Sequence, residues 1–408
     1  MKCRHCYAEL TLPFIDLATA PPSNAYLRAE QLASPEKWYP LRVFACTQCW
    51  LVQTEDYAHH AHLFSSEYAY FSSFSTSWLA HSKRYVANMM QRFSLDASSH
   101  VIEVAANDGY LLQYVQQAGV PCMGIEPTAS TALAARAKGL HIVEEFFGVE
   151  LANKLVAEGK AADLTAANNV LAHVPDINDF VAGFTKVLKP NGVATFEFPH
   201  LLRLVSECQF DTIYHEHFSY LSLTVVRSVF ESNGLRLFDV DELTTHGGSL
   251  RVYAQRRDTG RHPITNSVES LLKTEAIAGI STEAFYQGFQ SRADDVRDGL
   301  MAFLIDARRE GRRVGAYGAA AKGNTLLNYA GVRTGLLPWV VDRNPAKQGL
   351  YMPGSRIPIF DEACLRSARP DYILVLPWNL RAEVMEQLAY VRSWGGRFVY
   401  AVPSLEIV

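Results

Sequence analysis

The chain carries one dense run of proton-exchanging side chains, Tyr214-His215-Glu216-His217. Histidine is the side chain whose ordinary pKa lies nearest neutrality, so it can take up and release a proton at working pH. A neighbouring carboxylate can orient the imidazole ring and stabilise its charged form. The run is therefore typical of proton-transfer chemistry, and a solvated surface turn is the alternative that these four residues leave open.

Two cysteine pairs near the N-terminus have the spacing of zinc ligands. A two-residue gap lets both sulfurs of a pair turn toward one ion, and two such pairs complete a tetrahedral shell. The spacing predicts a structural zinc ion in a small module over residues 1–60, which is too short to bury much apolar core. Two unrelated buried cysteine pairs are the alternative. The predicted ligands are Cys3, Cys6, Cys46 and Cys49.

From about His100 the sequence changes to short apolar strands that alternate with helices. This alternation favours a parallel, doubly wound α/β sheet. The predicted strands are 101–104, 122–125, 142–143, 164–167 and 193–198, the last after a predicted turn at 189–192. A polar helical stretch over 267–311 separates this unit from a second α/β unit that begins at Arg313. The strands predicted in the second unit are 339–341, 372–376 and 398–400.

Polar residues follow the strands of the first unit at the places where a bound nucleoside would lie. The turn from Glu103 to Gly109 opens a helix, and Glu126 ends the next strand, where a carboxylate can accept hydrogen bonds from both ribose hydroxyls. NAD fits poorly, because a pyrophosphate needs several glycines at that turn and Gly109 stands alone. The order of these elements predicts S-adenosylmethionine (SAM), with a doubly wound domain for an unrelated ligand as the alternative. The predicted SAM contacts are Glu103, Asn107, Gly109, Glu126, Glu145, Phe147, Asn168 and Asn169.

The overall composition argues against several other classes of protein. The chain has 408 residues and a net charge of -4, with no basic stripe that would favour nucleic acid. No apolar run approaches the roughly 20 residues of a membrane span, and the N-terminus lacks an apolar signal core, so a cytoplasmic location is expected. In a reducing cytoplasm the seven cysteines should not form disulfides.

These motifs together resemble the zinc-containing sugar C-methyltransferases, which act on nucleotide-linked ketosugars. The resemblance covers essentially the whole chain. The matching stretches are the two cysteine pairs, 103–109, 124–127, 173–175, 210–217, 246–248, 315–323 and 342–348. The resemblance implies a zinc-binding module over 1–60, a class I methyltransferase domain with an aromatic linker over 61–265, and a C-terminal Rossmann-like domain over 266–408.

The resemblance also implies roles for individual residues. In the family, the segment that ends in Glu-His supplies the catalytic base, which by position is His217, with Glu216 and Tyr214 beside it. A second family histidine matches His173, and a tyrosine from the aromatic linker matches Tyr70. This chain departs from the family pattern at the run Tyr-His-Glu-His-Phe-Ser-Tyr, where His215 is an additional histidine placed beside the substrate.

Residues farther along the chain are predicted to contact the substrate. The pair of glycines after His246 admits a backbone close to a ligand, and a strand-connecting turn is the alternative for His246 and Gly247. Lys322 and Asn324 lie where a helix N-terminus could hold a nucleotide phosphate, whereas a solvated lysine is the alternative for Lys322.

The predicted activity is SAM-dependent C-methylation of a nucleotide-linked deoxy-4-ketosugar. His217 would remove the proton beside the ketone, Glu216 would stabilise the imidazolium, and Tyr214 or His173 would hydrogen-bond the enolate oxygen. Two alternatives stay open: methylation of another enolisable carbonyl or of a hydroxyl, and a non-catalytic nucleotide-sugar-binding protein. The expected partner is a small-molecule nucleotide sugar, with no nucleic-acid or membrane partner, and a monomer is expected.

Overall fold

A computed structural model describes residues 1–57 and 71–408. The described strands are β1 (Leu12–Ala20), β2 (Tyr39–Ala45), β3 (Val52–Thr54), β4 (Val101–Val104), β5 (Cys122–Ile125), β6 (Ile142–Val143), β7 (Ala162–Asn168), β8 (Leu188–Pro199), β9 (Ser219–Tyr220), β10 (Leu235–Leu243), β11 (Ser249–Arg256), β12 (Val314–Tyr317), β13 (Val340–Val341), β14 (Ile359–Phe360), β15 (Tyr372–Val375), β16 (Arg397–Tyr400) and β17 (Glu406–Ile407). They form three sheets.

The described α-helices connect these strands. They are α1 (Thr76–Phe93), α2 (Leu112–Gln117), α3 (Ala129–Ala137), α4 (Val149–Ala157), α5 (Ile177–Val187), α6 (Leu201–Ser206), α7 (Leu223–Ser232), α8 (Asn266–Ala278), α9 (Glu283–Tyr286), α10 (Phe289–Arg309), α11 (Ala321–Tyr329), α12 (Glu362–Ala368) and α13 (Arg381–Gln387). Short 3-10 turns also occur, among them Leu171–His173, Phe210–Thr212, Thr245–Gly247 and Trp378–Leu380. Among the described helices none is long and apolar enough to cross a lipid bilayer.

The N-terminal sheet has the order β1-β2-β3-β9 and is antiparallel. In β2 the residues Leu41, Val43 and Ala45 are buried in strict alternation, as expected for a strand with one face on the core. The fourth strand, β9, comes from the histidine-rich segment far along the chain. Its pairing with β3 therefore joins the cysteine-containing module to the segment that carries His217.

The central sheet has the order β10-β11-β8-β7-β4-β5-β6, in which β11 runs antiparallel to both of its neighbours and the remaining pairs are parallel. The chain builds β4, β5 and β6 in one direction and then returns to add β7 and β8 on the other side. A switch point therefore lies between β4 and β7, where ligands bind at the carboxyl ends of the strands. The predicted doubly wound domain is confirmed.

The turn predicted at 189–192 falls at an irregularity inside β8. Leu188 pairs with Ala162 and Val193 pairs with Leu164, so the four residues between them have no ladder partner. Proline lacks a backbone N–H and glycine is flexible, so Pro190 and Gly192 suit a segment whose backbone groups have no ladder partner.

The C-terminal sheet has the order β14-β13-β12-β15-β16-β17 and is parallel except at β17, which gives the predicted Rossmann-like architecture. The predicted helical stretch before it divides into α8, α9 and α10. Gly279 (φ 82°) ends α8 and Gly288 (φ 76°) precedes α10, because both adopt the left-handed conformation that glycine tolerates. Val268 and Leu271 of α8 pack in the core of the central sheet rather than against the C-terminal sheet.

A single apolar cluster joins the three parts of the molecule. It contains Phe14 of β1, Phe210 and Ile213 near the histidine-rich segment, and Leu326 of α11. The ring of Phe14 stacks on Phe289 with centroids 4.5 Å apart. The histidine-rich segment consequently lies between the N-terminal module and the C-terminal domain.

Candidate active site

The four predicted zinc ligands converge. Their sulfur atoms all lie within 4.8 Å of one another, with Sγ distances of 3.5 Å for Cys3 to Cys49 and for Cys6 to Cys46. Tetrahedral Zn–S bonds of roughly 2.3 Å would separate the sulfurs by roughly 3.8 Å, so the donor set fits zinc. The shell of four thiolates leaves no open position, which is the arrangement of a structural rather than a catalytic zinc ion.

The two residues between the first cysteine pair dock the zinc module on its neighbours. His5 hydrogen-bonds Asn178 through Nδ1 at 2.8 Å and approaches Ser228 through Nε2 at 3.4 Å, so its ring is engaged away from the four sulfurs. Arg4 donates to the carbonyl oxygens of Thr54 (3.2 Å) and Pro175 (3.3 Å), and its guanidinium lies 4.8 Å from the centre of the Phe218 ring. The module is thereby fixed beside His217.

The predicted cofactor turn lies at the carboxyl end of β4. The backbone N–H of Asn107 donates to Glu126 Oε2 and that of Thr128 donates to Glu126 Oε1, both at 2.9 Å, so one carboxylate ties the ends of β4 and β5 together. Each oxygen of Glu126 keeps a second lone pair that a ribose hydroxyl can use. Gly109 has a φ of 76°, in the left-handed region that other residues rarely adopt, so a side chain at this position would be strained.

Two other predicted cofactor residues are buried at the same crevice. Glu103 in β4 is fully buried, and burial raises the pKa of its carboxyl well above the usual value although Tyr110 provides a hydrogen bond. Asn168 ends β7, and the side-chain oxygens of Asn168 and Asn169 are buried with no hydrogen-bond partner among the described residues. Buried amide oxygens without partners are costly, so polar groups of a bound molecule suit this position. The crevice therefore fits SAM.

The remaining predicted cofactor residues lie farther from these strand ends. Glu145 is exposed and forms an ion pair with Lys154 at 2.9 Å. Phe147 packs in the apolar core with ring centroids 5.7 Å from Phe180 and 4.7 Å from Phe184, whereas the adjacent Phe146 is 57% exposed. The SAM contacts predicted for Glu145 and Phe147 stay predictions.

His217 is held in a defined tautomer. Its Nδ1 lies 2.9 Å from the carbonyl oxygen of Thr212. A carbonyl oxygen only accepts, so Nδ1 carries the proton and Nε2 keeps a lone pair in the neutral ring. Burial and then the nearby His173 hold the pKa of His217 well below its usual 6.5, so the ring is neutral at physiological pH. This is the state that a general base requires.

Two predicted neighbours contact the His217 ring. The ring of Tyr214 lies 3.9 Å from it, centroid to centroid, and that of His173 lies edge-on at 4.6 Å. Burial lowers the pKa of His173 to about 4, and a hydrogen bond to the backbone of Glu216 opposes that effect only in part. His173 follows β7 in the turn Leu171–His173, which brings the end of β7 and the histidine-rich segment together.

The other two members of the run face the N-terminal module. Glu216 is 1% exposed and accepts a hydrogen bond from Asn24 Nδ2 at 2.8 Å, and burial raises the pKa of its carboxyl to about 7. His215 Nε2 donates to the carbonyl oxygens of Tyr39 (3.3 Å) and Pro40 (3.2 Å). Both side chains thus have partners in the zinc module, and their predicted catalytic and substrate roles stay predictions.

The His246-Gly247 turn meets the site from the central domain. His246 Nε2 accepts from Asn169 Nδ2 at 3.4 Å, and burial, with Lys322 next, lowers the pKa of His246 to about 4. Gly247 (φ 88°) packs against the C-terminal domain, since a Cβ there would lie 2.5 Å from Trp378 Cη2. The turn thus connects the cofactor crevice to the C-terminal domain.

The predicted phosphate residues belong to α11. Lys322 Nζ donates to Asn379 Oδ1 at 2.7 Å and lies 4.5 Å from the centre of the Trp378 ring. Burial lowers the pKa of Lys322, and the negative charge of Asp211 opposes that shift. Asn324 is buried and donates to the Ser23 carbonyl at 2.6 Å. The remaining predicted substrate residue, Tyr70, lies outside the described residues.

Two buried carboxyl groups close to the predicted site residues, Glu197 and Asp211, were not predicted from the sequence. Glu197 in β8 is 1% exposed and accepts from His81 Nε2 (2.8 Å) and from Arg251 Nε (2.7 Å). Burial alone would raise the pKa of Glu197, but His81 and Arg251 hold it below its usual value. His81 also stacks on Trp78, whose ring lies 5.3 Å from that of His246. A glutamate inside the apolar run Phe196-Glu197-Phe198 is the signal that could have revealed this cluster.

Asp211 is the second unpredicted group. Its carboxyl is fully buried, accepts the indole N–H of Trp378 at 2.7 Å, and has its pKa raised to about 6 by burial. The sequence signal was weak, because an aspartate in a short polar segment usually caps a turn at the surface.

Comparison with known proteins accounts for all three parts of the molecule. Residues 3–64 match a family described as a zinc binding domain, residues 78–240 one described as a methyltransferase domain, and residues 244–403 one described as a C-methyltransferase C-terminal domain. The chain is 32% identical over 407 residues to C-methyltransferase NovU of Streptomyces niveus. The alignment covers 100% of this chain and 96% of that protein. This chain belongs to the zinc-containing C-methyltransferases. The resemblance stated from its motifs is confirmed.

Two solved structures share parts of the chain with lower similarity. Magnesium protoporphyrin IX methyltransferase (ChlM) from Synechocystis PCC 6803 with bound SAH is 14% identical, with a TM-score of 0.36 over 44% of this chain and 83% of that chain. An S-adenosylmethionine-dependent methyltransferase from Clostridium acetobutylicum is 9% identical, with a TM-score of 0.35 over 44% of this chain and 92% of that chain.

The family assignment and the geometry agree on the general activity. The protein is a SAM-dependent C-methyltransferase that binds SAM at the central sheet and zinc at the four cysteines. The alternative hypothesis, that the chain is a non-catalytic nucleotide-sugar-binding protein, is therefore wrong.

Proposed function

We propose that the methyl acceptor is a nucleotide-linked deoxy-4-ketosugar and that His217 is the base which generates its enolate. Carbon is a poor nucleophile until a proton beside a carbonyl is removed, so C-methylation requires a base at the acceptor carbon. The observation that carries the proposal is the hydrogen bond from His217 Nδ1 to the Thr212 carbonyl, which leaves the Nε2 lone pair available.

The depressed pKa of His217 has two consequences. The ring stays neutral at physiological pH, so nearly every molecule has its base ready. A low pKa also makes the base weaker, so groups that stabilise the enolate must lower the barrier to proton removal. Tyr214 and His173, whose rings lie beside His217, are suited to donate a hydrogen bond to the enolate oxygen.

The groups near His217 also favour an anionic acceptor. Lys322 lies close enough to His217 for its charge to lower the pKa of that ring, as do His173 and His246 when they are protonated. At neutral pH the pKa values of His173 and His246, both about 4, leave these rings uncharged, so Lys322 is the positive charge that would attract an enolate or a diphosphate. Lys322 and the start of α11 come from the C-terminal domain, which supports a substrate large enough to carry a nucleotide.

When bound, SAM supplies the electrophilic methyl group. His217 then holds the abstracted proton on Nε2 while Thr212 continues to accept from Nδ1, because both ring nitrogens donate in the imidazolium. Tyr214 and His173 orient the carbonyl of the acceptor, and the buried position of the ring excludes water that would return a proton to the enolate.

The proposal is tested by offering the enzyme labelled SAM and a set of nucleotide-linked 4-ketosugars, with mass spectrometry of the products. In parallel, deuterium exchange from solvent at the carbon beside the ketone reports proton removal. We expect transfer of one methyl group to carbon, and we expect His217→Gln to lower exchange and turnover by roughly 10²–10⁴-fold while SAM affinity stays within about twofold.

The matched control is His141→Gln, which changes an exposed histidine of the central domain. This variant should catalyse deuterium exchange beside the ketone and methyl transfer at the rates of the unaltered protein. Exchange at the unaltered rate in His217→Gln would remove His217 from the role of base. Failure of every 4-ketosugar to accept a methyl group, with SAM still bound, would instead redirect the substrate assignment to another enolisable carbonyl compound.

A further inference from the structure

The carbonyl group that fixes the tautomer of His217 belongs to a turn held by the C-terminal domain. Thr212 closes the 3-10 turn Phe210–Thr212, and the preceding residue, Asp211, is fully buried. Asp211 Oδ2 accepts the indole N–H of Trp378 at 2.7 Å. The Thr212 hydroxyl and amide both bond to the Gln209 carbonyl, at 2.7 and 3.1 Å, so the turn is stiff and moves as a unit.

The Trp378 ring is itself fixed on several sides. It packs so closely on Gly247 that a Cβ there would lie 2.5 Å from Cη2, and Gly247 is tied back to the turn because Gln209 Nε2 donates to its carbonyl at 2.7 Å. The Lys322 ammonium also lies 4.5 Å from the ring centre and is anchored by Asn379. The indole is thus a rigid donor aimed at Asp211.

We propose that Trp378 and Asp211 are positioning residues for His217: the hydrogen bond between them holds the turn Phe210–Thr212 so that the Thr212 carbonyl keeps the proton of His217 on Nδ1. This inference rests on the proposed role of His217 as base. It assigns to the C-terminal domain a part in the chemical step, in addition to any contact with the substrate.

The physical basis is the cost of a buried carboxylate that has lost its donor. Without the indole N–H, Asp211 would lie buried with neither side-chain oxygen hydrogen-bonded to another side chain, and the turn would shift to bring it a new partner. A displaced Thr212 carbonyl would release Nδ1, and the neutral ring would then populate the tautomer with its proton on Nε2. That tautomer has no lone pair facing the acceptor carbon.

The experiment combines kinetics with ¹⁵N NMR of the full-length protein labelled in its 13 histidines. The nitrogen shifts distinguish the two neutral tautomers, and His217→Gln identifies the His217 signals. Two variants remove the interaction: Trp378→Phe deletes the donor, and Asp211→Leu deletes the acceptor. A third, Asp211→Asn, keeps an oxygen that can accept the indole N–H and is the conservative variant expected to rescue.

We expect a single Nδ1–H tautomer in the unaltered protein and in Asp211→Asn, and a mixture of tautomers in Trp378→Phe and Asp211→Leu. The latter two should lose roughly 10-fold to 100-fold in kcat, with KM changed less than about threefold, since the base rather than the substrate is displaced. Trp394→Phe is the control, because Trp394 donates its N–H to the Pro370 carbonyl at 3.1 Å in the same domain. Trp394→Phe should keep the Nδ1–H tautomer of His217 and the kcat of the unaltered protein.

Two results would overturn the inference. One is an unchanged Nδ1–H tautomer and kcat in both Trp378→Phe and Asp211→Leu. The other is a loss of kcat in Trp394→Phe as large as that in Trp378→Phe, which would indicate general damage to the domain. The tautomer is read without substrate, so it stays informative even if no 4-ketosugar is methylated, and failure of the proposed function is thereby separated from failure of this inference.

Discussion

The histidine-rich segment is held from two sides, and main-chain strand pairing contributes on one of them. On the N-terminal side β3 pairs with β9 and the Thr54 N–H donates to the Phe218 carbonyl at 3.1 Å, in addition to side-chain contacts such as that of Asn24 with Glu216. On the C-terminal side, side-chain contacts hold the segment, from Trp378 to Asp211 and from Thr325 to the Ile213 carbonyl at 2.8 Å. Main-chain pairing depends little on residue type, whereas each side-chain contact depends on a single residue.

Each side also buries one carboxyl group, and their environments differ. Burial raises the pKa of Glu216 to about 7, and Asn24 is the group that opposes this rise. Burial also raises the pKa of Asp211, from 3.8 to about 6, and the groups that oppose this rise are the positive charge of Lys322 and the indole N–H of Trp378. The zinc module thus offers its buried carboxyl a hydrogen-bond donor, and the C-terminal domain offers its own a positive charge as well as a donor. Loss of zinc should weaken the contacts of the histidine-rich segment with the N-terminal module. Single substitutions should weaken its contacts with the C-terminal domain.

The largest effect is expected from loss of zinc. In Cys46→Ala the four-sulfur shell is incomplete, so the module should release its metal and β3 should lose the support that pairs it with β9. Structural zinc contributes on the order of 10 kcal/mol to the folding of zinc-finger peptides, so we expect turnover to fall at least about 100-fold. Metal analysis and amide hydrogen exchange at Phe218 and Tyr220 check this.

Cys364→Ala is the control for this prediction, since Cys364 lies outside the cluster. A zinc-free Cys46→Ala protein with intact protection at Phe218 and Tyr220 would show that β3 holds the segment without the metal, and the comparison between the two sides would then have to be abandoned.

An intermediate effect is expected on the pH dependence of stability. The pKa of Glu216 is raised from 4.5 to about 7 in the folded state, so the folded protein binds this proton more tightly than the unfolded chain. The stability from the protonated carboxyl is fully present below pH 4.5 and is lost as the pH rises through 7. The side chain in Glu216→Gln is neutral at every pH and can still accept a hydrogen bond from Asn24. Above pH 8 the free energy of unfolding of this variant should therefore be roughly 3 kcal/mol higher than that of the unaltered protein.

Chemical denaturation at pH 5 and pH 8.5 measures this difference, with Glu231→Gln, an exposed position, as the control. The gain should shrink toward the lower pH. Equal stability of Glu216→Gln and the unaltered protein at both pH values would mean that Glu216 is better compensated than Asp211, the reverse of the comparison above.

The smallest effects come from a matched pair of threonines, one on each side. The Thr54 hydroxyl donates to the His217 carbonyl at 3.2 Å, and the Thr325 hydroxyl donates to the Ile213 carbonyl at 2.8 Å. Replacing either with valine removes one hydrogen bond and costs about 1 kcal/mol. We expect Thr325→Val to lose more stability than Thr54→Val, because its bond is shorter and the strand pairing that supports Thr54 stays in place. Denaturant titration of both variants tests the order, and the reverse order would argue that strand pairing does not compensate for loss of the Thr54 hydroxyl.

Much of the fold followed from local sequence patterns. The strand ends at Glu103, Glu126 and Asn168 were predicted because each follows a short apolar strand, and parallel strands bring their carboxyl ends to one edge of a sheet. The four zinc ligands were predicted because two-residue spacing is itself a local geometry. The bulge in β8 was missed, since proline and glycine favour a turn and a bulge alike.

The contacts around His217 could not be predicted in this way. Asn24 and Glu216 are 192 positions apart in the sequence, and Asp211 and Trp378 are 167 positions apart. No spacing rule relates residues at such separations. The sequence therefore placed Glu216 beside His217, where adjacency suggested an ion pair, whereas the structure directs its carboxylate to Asn24.

The sequence by itself determined which chemical groups the protein has and the local elements that carry them: four thiols in two pairs, a cofactor turn at a strand end, and an imidazole beside a phenol. Local spacing is enough for these, because backbone geometry repeats over a few residues. The tertiary structure alone decided which nitrogen of His217 carries the proton and which buried carboxyl group faces which neighbour. Those properties depend on single hydrogen bonds in a low-dielectric interior, and the donors and acceptors come from parts of the chain that are far apart in the sequence.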